Sequence, residues 1–115
     1  MLDSVTANAL SGALDGLALR QRAIADNIAN INTPGYQAQR VLFEDALRRA
    51  VESGSGVAQP TVERSLEPTR LNGNNVNLDT ETLSNIDTVL RFQFASQALS
   101  GQAASITKAI GQASA

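Results

Sequence analysis

Ala25-Asp26-Asn27-Ile28-Ala29-Asn30-Ile31-Asn32-Thr33-Pro34-Gly35-Tyr36 is the stretch on which the reading of this chain turns. Its first half has the spacing of the last turns of a long helix, since Ile24, Ile28 and Ile31 recur at four and three residues. Its second half is a stop. Asn32 and Thr33 can bond back to nearby backbone, and the residue before Pro34 is pushed out of the helical region. Pro34-Gly35 favours a tight type II-like turn with Gly35 at positive φ. Tyr36 then re-enters ordered structure as an amphipathic anchor.

Working back towards the N-terminus, residues 3–32 carry the clearest periodicity. Ala7, Leu10, Leu14, Leu17, Ile24, Ile28 and Ile31 fall on three- and four-residue steps, with Gln21 as the polar interruption. This is a coiled-coil-like seam, and Asp3 or Ser4 can cap its start. Gly12 and Gly16 make a small-xxx-small pair, a place for close approach of another element in surroundings too polar for a membrane. Each also weakens the isolated helix by roughly 1 kcal/mol relative to Ala.

Past the turn, residues 40–52 read as a short helix with Phe43, Leu47, Ala50 and Val51 on one side. Glu44 with Arg48 and Asp45 with Arg49 have the spacing of i,i+4 pairs on its solvated face. Ser53-Gly54-Ser55-Gly56 reads as a flexible linker. Residues 57–79 alternate weakly around Val62 and Leu66, with Pro60, Pro68 and an Asn72-Gly73 turn dipeptide. An extended segment or small hairpin fits them, without independent stability. Asp79 or Thr80 can cap the next helix.

From about residue 80 to 111 a second long helix carries two apolar rows. Leu83, Ile86, Leu90 and Phe94 form one; Val89, Phe92, Leu99, Ala103, Ile106 and Ile110 form the other. A helix apolar on two sides must be covered on two sides. The N-terminal helix can cover one row, which leaves the other for a different subunit. The predicted fold is therefore mainly α: long N- and C-terminal helices pairing as a coiled-coil-like hairpin, with a short middle helix and a small extended or irregular segment. The divisions are 1–32, 33–79 and 80–115.

Composition removes several function classes. Within 115 residues there is room for one domain, and aromatics are only 3% of them, so packing relies on Ala, Leu and Ile. A net charge of −2 gives no basic surplus for nucleic acid or anionic lipid. Cysteine and histidine are absent, which removes thiolate sites, the usual general base and the commonest metal ligand. Neither a Sec-type signal nor a transmembrane helix is expected, because Asp3, Thr6, Asn8, Ser11 and Asp15 interrupt the first apolar run. Ser105-Ile106-Thr107-Lys108 matches Ser-x-x-Lys, but Ser-Asp-Asn and Lys-Thr-Gly are missing. Gly54-Ser55-Gly56 lacks the rest of a phosphate-binding loop. No catalytic residue, cofactor or metal is expected.

Asn27-x-x-Asn30-x-Asn32-Thr33-Pro34-Gly35-Tyr36 at the end of an N-terminal helix resembles the signature of the flagellar basal-body rod protein family. The resemblance runs nearly end to end. The first 43 residues are similar to the family's common N-terminal region. Asn74 to Asp79, Arg91-Phe92-Gln93 and Leu99-Ser100-Gly101 are most similar to the proximal rod type within that family. Asn77 and Phe92 depart from it, standing where an acidic residue and a Tyr are more usual. Phe43-x-x-x-Leu47 also resembles the aromatic-to-aliphatic segment by which rod and hook subunits are recognised at the flagellar export gate. A helical hydrophobic pair explains the same two residues.

The resemblance implies a structural protein, exported by the flagellar type III apparatus and polymerised in the periplasm into the torque-transmitting rod. Its implied partners are copies of itself, other rod subunits, and basal-body base and export-gate proteins, with no nucleic acid and no small-molecule substrate. Leu10, Leu14, Leu17, Ile24, Ile28, Leu90, Phe94, Leu99, Ile106 and Ile110 are the candidate subunit-packing residues. A small helical adaptor or export chaperone, clasping a partner through the same amphipathic rows, is the alternative.

Overall fold

The computed structural model describes residues 4–114, apart from the side chains at 103, 105, 106, 109 and 112–114. The elements follow in the order α1 (Ser4–Ala29), β1 (Gln39–Leu42), α2 (Glu44–Glu52), β2 (Thr61–Arg64) and α3 (Leu78–Ser114). As the periodicity predicts, the chain is mainly helical and its two long helices pack together. Asn27 at the end of α1 meets Glu81 at the start of α3, and Ala13 and Leu17 share a cluster with Phe92, so the helices run antiparallel. Their lengths of 26 and 37 residues correspond to about 39 and 55 Å. α3 therefore projects past the start of α1, and the molecule measures 69 × 26 × 15 Å. Among the described residues, no helix is long and apolar enough to cross a membrane.

On α1 the predicted seam holds in its second half, where Leu17 and Ile24 are buried. Leu10 and Leu14 are half-buried, and Ile28 is exposed at the helix end. On α3 the second of the two apolar rows is the one that turns inward: Phe92 packs on the cluster of Leu17 and Phe43, and Val89 and Leu99 are half-buried. Glu81, Thr88 and Ala95, spaced by seven, are buried, while Leu83, Ile86, Leu90 and Phe94 face solvent. Each helical residue advances about 100°, so these two rows lie on opposite sides of α3. Glu81 sets the rotation by bonding to Asn27, and the small Thr88 and Ala95 let the helices approach. The buried Thr88 hydroxyl is satisfied within the helix by donating to the Ser84 carbonyl at 2.7 Å.

Other local expectations are corrected by contacts distant in sequence. α1 ends at Ala29 rather than residue 32, because the backbone tightens there: Ile31 N–H bonds to Ile28 at 3.2 Å and Thr33 N–H to Asn30 at 3.0 Å. Residues 39–42 are strand rather than helix, paired antiparallel with β2 in the register Val41 to Val62. Phe43 thus precedes α2, whose first residue is Glu44. Glu44 pairs with Arg20 of α1 instead of Arg48, and Asp45 reaches Arg48 rather than Arg49. The Gly-Ser run is no free linker. Ser53 and Gly54 N–H groups cap α2 carbonyls, Ser55 and Gly56 N–H groups both bond to Ala50, and Asn8 of α1 donates to the Ser55 carbonyl at 3.2 Å. α3 begins earlier than expected because Asn77, not Asp79 or Thr80, is the cap: its side chain accepts from the Asp79 and Thr80 N–H groups at 3.0 and 3.3 Å. Asp3, the other candidate cap of α1, and the side chains of Ala103 and Ile106 lie outside the described residues.

Close approach at the glycine pair is realised, and the element received is the start of α2. A Cβ on Gly16 would lie 2.6 Å from the Phe43 ring, and one on Gly12 would lie 3.6 Å from Leu47 Cδ1. The two glycines therefore respond differently to the same change. Gly12→Ala gains helix propensity at an ordinary contact distance and is expected to stabilise the chain by about 0.5–1 kcal/mol in urea unfolding. Gly16→Ala forces the ring to move and is expected to destabilise by about 1–3 kcal/mol. Stabilisation by both would show that Phe43 does not occupy this seat in solution.

Candidate assembly site

Asn27 sits in the last full turn of α1 and is completely buried. Its Nδ2 donates to the Gln39 carbonyl at 3.0 Å and to Glu81 Oε1 at 3.2 Å. Its Oδ1 accepts from the Gln39 N–H at 2.8 Å and from the Tyr36 hydroxyl at 3.2 Å. One amide thus joins α1, the turn, the start of β1 and α3, and uses both donors and both lone pairs to do so. Glu81, also fully buried, accepts a second bond from Arg40 Nη1 at 2.7 Å, and Arg40 reaches on to Glu67 at 3.4 Å. Charge pairing with Arg40 compensates part of the desolvation of the carboxylate.

Thr33-Pro34-Gly35-Tyr36 closes as the predicted reversal. Tyr36 N–H bonds to the Thr33 carbonyl at 3.2 Å, and Gly35 has φ +75°, a conformation that costs an L side chain roughly 1–2 kcal/mol. Asn30 Nδ2 donates to the Asp26 carbonyl at 2.8 Å, and the Thr33 hydroxyl donates to Asn30 Oδ1 at 3.1 Å. Asn32 and Pro34 are exposed. Burial pushes the Tyr36 phenol above its ordinary value, with the Asp26 and Glu81 charges adding to that and Arg64 opposing it. Tyr36 therefore stays protonated and keeps donating to Asn27.

The partner of this turn is the segment around the Asn72-Gly73 turn dipeptide that leads into α3. Asn74 is fully buried, and its Nδ2 donates to the carbonyls of both Asn30 and Thr33 at 2.8 Å, while its Oδ1 accepts from Val76 N–H at 2.8 Å. The Arg70 guanidinium caps the Ile31 carbonyl. Asn75 accepts from Ala38 N–H at 2.6 Å and donates to the carbonyls of Ser65 and Glu67 at 3.0 and 3.1 Å. Gly35 N–H bonds to the Asn72 carbonyl at 2.8 Å. Residues 70–77 thus supply to the end of α1 the partners that a continuing helix would have supplied. The clustered asparagines at 72, 74, 75 and 77 were the available signal; their pairing with the first asparagine cluster was not readable from spacing.

Phe43 and Leu47 come together against Gly16 and Gly12. Arg20 lies over the Phe43 ring at 4.8 Å, donates to the Val41 carbonyl at 2.7 Å, and pairs with Glu44 at 2.5 Å. Burial raises the Glu44 pKa, but the Arg20 bond and charge and two backbone N–H groups outweigh it, and the net shift is downward. Of the candidate packing residues, Leu17 and Ile24 are used inside the chain, and Leu10, Leu14 and Leu99 are half-buried. Leu90, Phe94 and Ile110 are 60%, 76% and 64% exposed, with Leu83 and Ile86 beside Leu90 at 69% and 53%. Ile106 lies outside the described side chains. Among the described residues, no group of three carboxylates gathers as a metal site would require.

Two outcomes test this arrangement. Asn74→Ala removes one of two bonds at each of the Asn30 and Thr33 carbonyls and takes away the acceptor of the Val76 N–H, so a loss of about 1–3 kcal/mol is expected in chemical unfolding; a loss under about 0.5 kcal/mol would remove the segment as the anchor of the turn. For Glu44, the folded carboxyl titrates below the ordinary value of 4.5. Its stabilisation is complete above that value and is lost as pH falls through the lower folded value. Glu44→Gln is therefore expected to be less stable at neutral pH, by no more than about 1 kcal/mol for this partly exposed pair, and to converge with the parent chain in acid. A constant difference down to about pH 2, read from urea midpoints, would contradict the Arg20 pairing.

The comparisons agree with the junction's position in the chain. A family model described as flagella basal body rod protein matches residues 7–37, from α1 through the turn. The flagellar basal body rod protein FlgB of Escherichia coli (strain K12) is 33% identical over 112 residues, covering 78% of this chain and 81% of that one. FlgB of Borrelia hermsii is 41% identical over 66 residues, covering 57% and 42%, and FlgB of Bacillus subtilis (strain 168) is 44% identical over 46 residues, covering 40% and 36%. With a third of its residues shared across four-fifths of such a relative, and the asparagine turn inside the matched region, the chain belongs to the flagellar basal body rod protein family.

Proposed function

We propose that this chain is a structural subunit of the proximal rod, exported by the flagellar type III apparatus and polymerised in the periplasm with copies of itself and with other rod subunits. The observation that carries the reading is the open row Leu83, Ile86, Leu90 and Phe94, on the side of α3 opposite the one packed on α1. Burying four such side chains is worth on the order of 5 kcal/mol or more, before the entropy of association is subtracted. The asparagine junction fixes the angle at which this row is presented. Mechanical work on a rod requires that angle to be stiff, and a buried, hydrogen-bonded amide network supplies stiffness that apolar contacts alone do not.

Phe43 fits two successive roles in this reading. In the extended chain, Phe43 and Leu47 are free to be recognised during export. In the folded chain Phe43 is buried against Gly16 and Leu47 is half-buried beside Gly12, and the same residues then hold α2 on α1.

Leu90→Asp combined with Phe94→Asp tests the rod reading. The variant is expected to keep its helicity, because both side chains are exposed, and to be secreted, yet to be absent from purified basal bodies and to leave cells non-motile. Normal incorporation and swimming would show that this row is not an assembly surface. Recovery of the parent chain only in the cytoplasm, bound to another export substrate, would favour the adaptor reading instead.

A further inference from the structure

α2 and α3 both pack on α1, and between them runs a groove of about 640 Å³. Its floor is Ala9, Ala13 and Leu17; its walls are Leu47 and Val51 on one side and Ala95 on the other. The three helices thus leave an apolar slot of the kind a fourth helix completes. Resting on the rod reading above, we infer that the occupant of this slot is the Leu83-Ile86-Leu90-Phe94 ridge of a second copy of this chain.

Shape, charge and symmetry support this occupant. The ridge presents large side chains at three- and four-residue steps, while the floor of the slot has alanines at positions 9 and 13, so knobs meet shallow holes. Four charged residues border the slot: Glu44, Arg48, Glu52 and Arg91. Glu44 is taken by Arg20. Arg48 and Arg91 make only solvent-exposed pairs on their own helices, with Asp45 at 3.7 Å and Asp87 at 2.9 Å, so both guanidinium groups can accept a further carboxylate. The ridge carries Asp79 in line with its leucines, the opposite sign to those arginines.

Ridge and slot lie on different faces of one chain, so their union is heterologous. Each copy that offers its ridge to a neighbour still has its own slot open. Growth then continues without closing, which a rod needs and a ridge-to-ridge pair cannot give.

The chain has no cysteine, so disulfide trapping reads this contact directly. Leu90→Cys and Val51→Cys are made separately in the full chain; both sites are exposed, and circular dichroism checks that each variant keeps its fold. On mild oxidation, an equimolar mixture is expected to form the mixed dimer at least about tenfold faster than either variant forms its own. The chain carrying both substitutions is expected to give a ladder of dimers, trimers and longer species. Dimers from Leu90→Cys alone at the rate of the mixture would mean that ridges pair with each other, and would overturn the slot. Absence of both mixed dimer and ladder would overturn it as well. If that happens while the double aspartate variant still fails to enter basal bodies, the slot is wrong and the rod reading stands.

Discussion

A single buried amide holds the architecture together. Asn27 commits its whole hydrogen-bonding capacity to four groups from the turn, β1 and α3. An apolar replacement would take away the acceptor of the Gln39 N–H and of the Tyr36 hydroxyl where the chain leaves the turn. Aspartate would keep the acceptors and lose the donors, and would place its charge beside Glu81. From this point the remaining geometry follows: where α1 stops, how β1 departs, and which side of α3 turns inward.

α1 serves as the common platform. α3 meets it along Glu81, Thr88 and Ala95, a stripe of one paired charge and two small residues, with Phe92 of the same side packed on the core cluster. The start of α2 meets it through Phe43, held in the Gly16 notch under Arg20. Both contacts are made with small or polar groups of one partner. Leu83, Ile86, Leu90 and Phe94 are left outward, and the chain as a single copy exposes a surface that most proteins of its size hide.

The middle segment acts as a clamp on this platform. β2 pairs with β1, the Gly-Ser run returns to α1 at Asn8, and Arg70 with Asn74 caps the helix end. Each of these short pieces would be unstable alone, since a two-stranded ribbon and a nine-residue helix bury too little. Together they run along α1, from the capped end at Asn30 and Ile31 back to Asn8 near its start. α3 runs on past the start of α1, which suits a subunit whose projecting helix is covered in an assembly.

The sequence by itself determined the two long helices, the Pro34-Gly35 reversal and the presence of an unpartnered apolar row, because periodicity, proline geometry and glycine φ act within a few residues. A close contact at Gly12 and Gly16 was legible for the same reason, whereas the motif residues Asn27, Asn30, Thr33 and Tyr36 were legible through the family resemblance. Only the tertiary structure decided which row of α3 faces inward. Periodicity offers two apolar rows, and the bond from Asn27 to Glu81 with Phe92 on the core cluster selects the second. It also decided that residues 39–42 are strand, that Glu44 answers Arg20, and that Asn74 and Arg70 finish α1. Each of these is a pairing between groups far apart in the chain, apart from the strand edge gripped by Asn27. Hydrogen bonds of that kind leave no period in the sequence, since either partner alone looks like an ordinary polar residue in a loop.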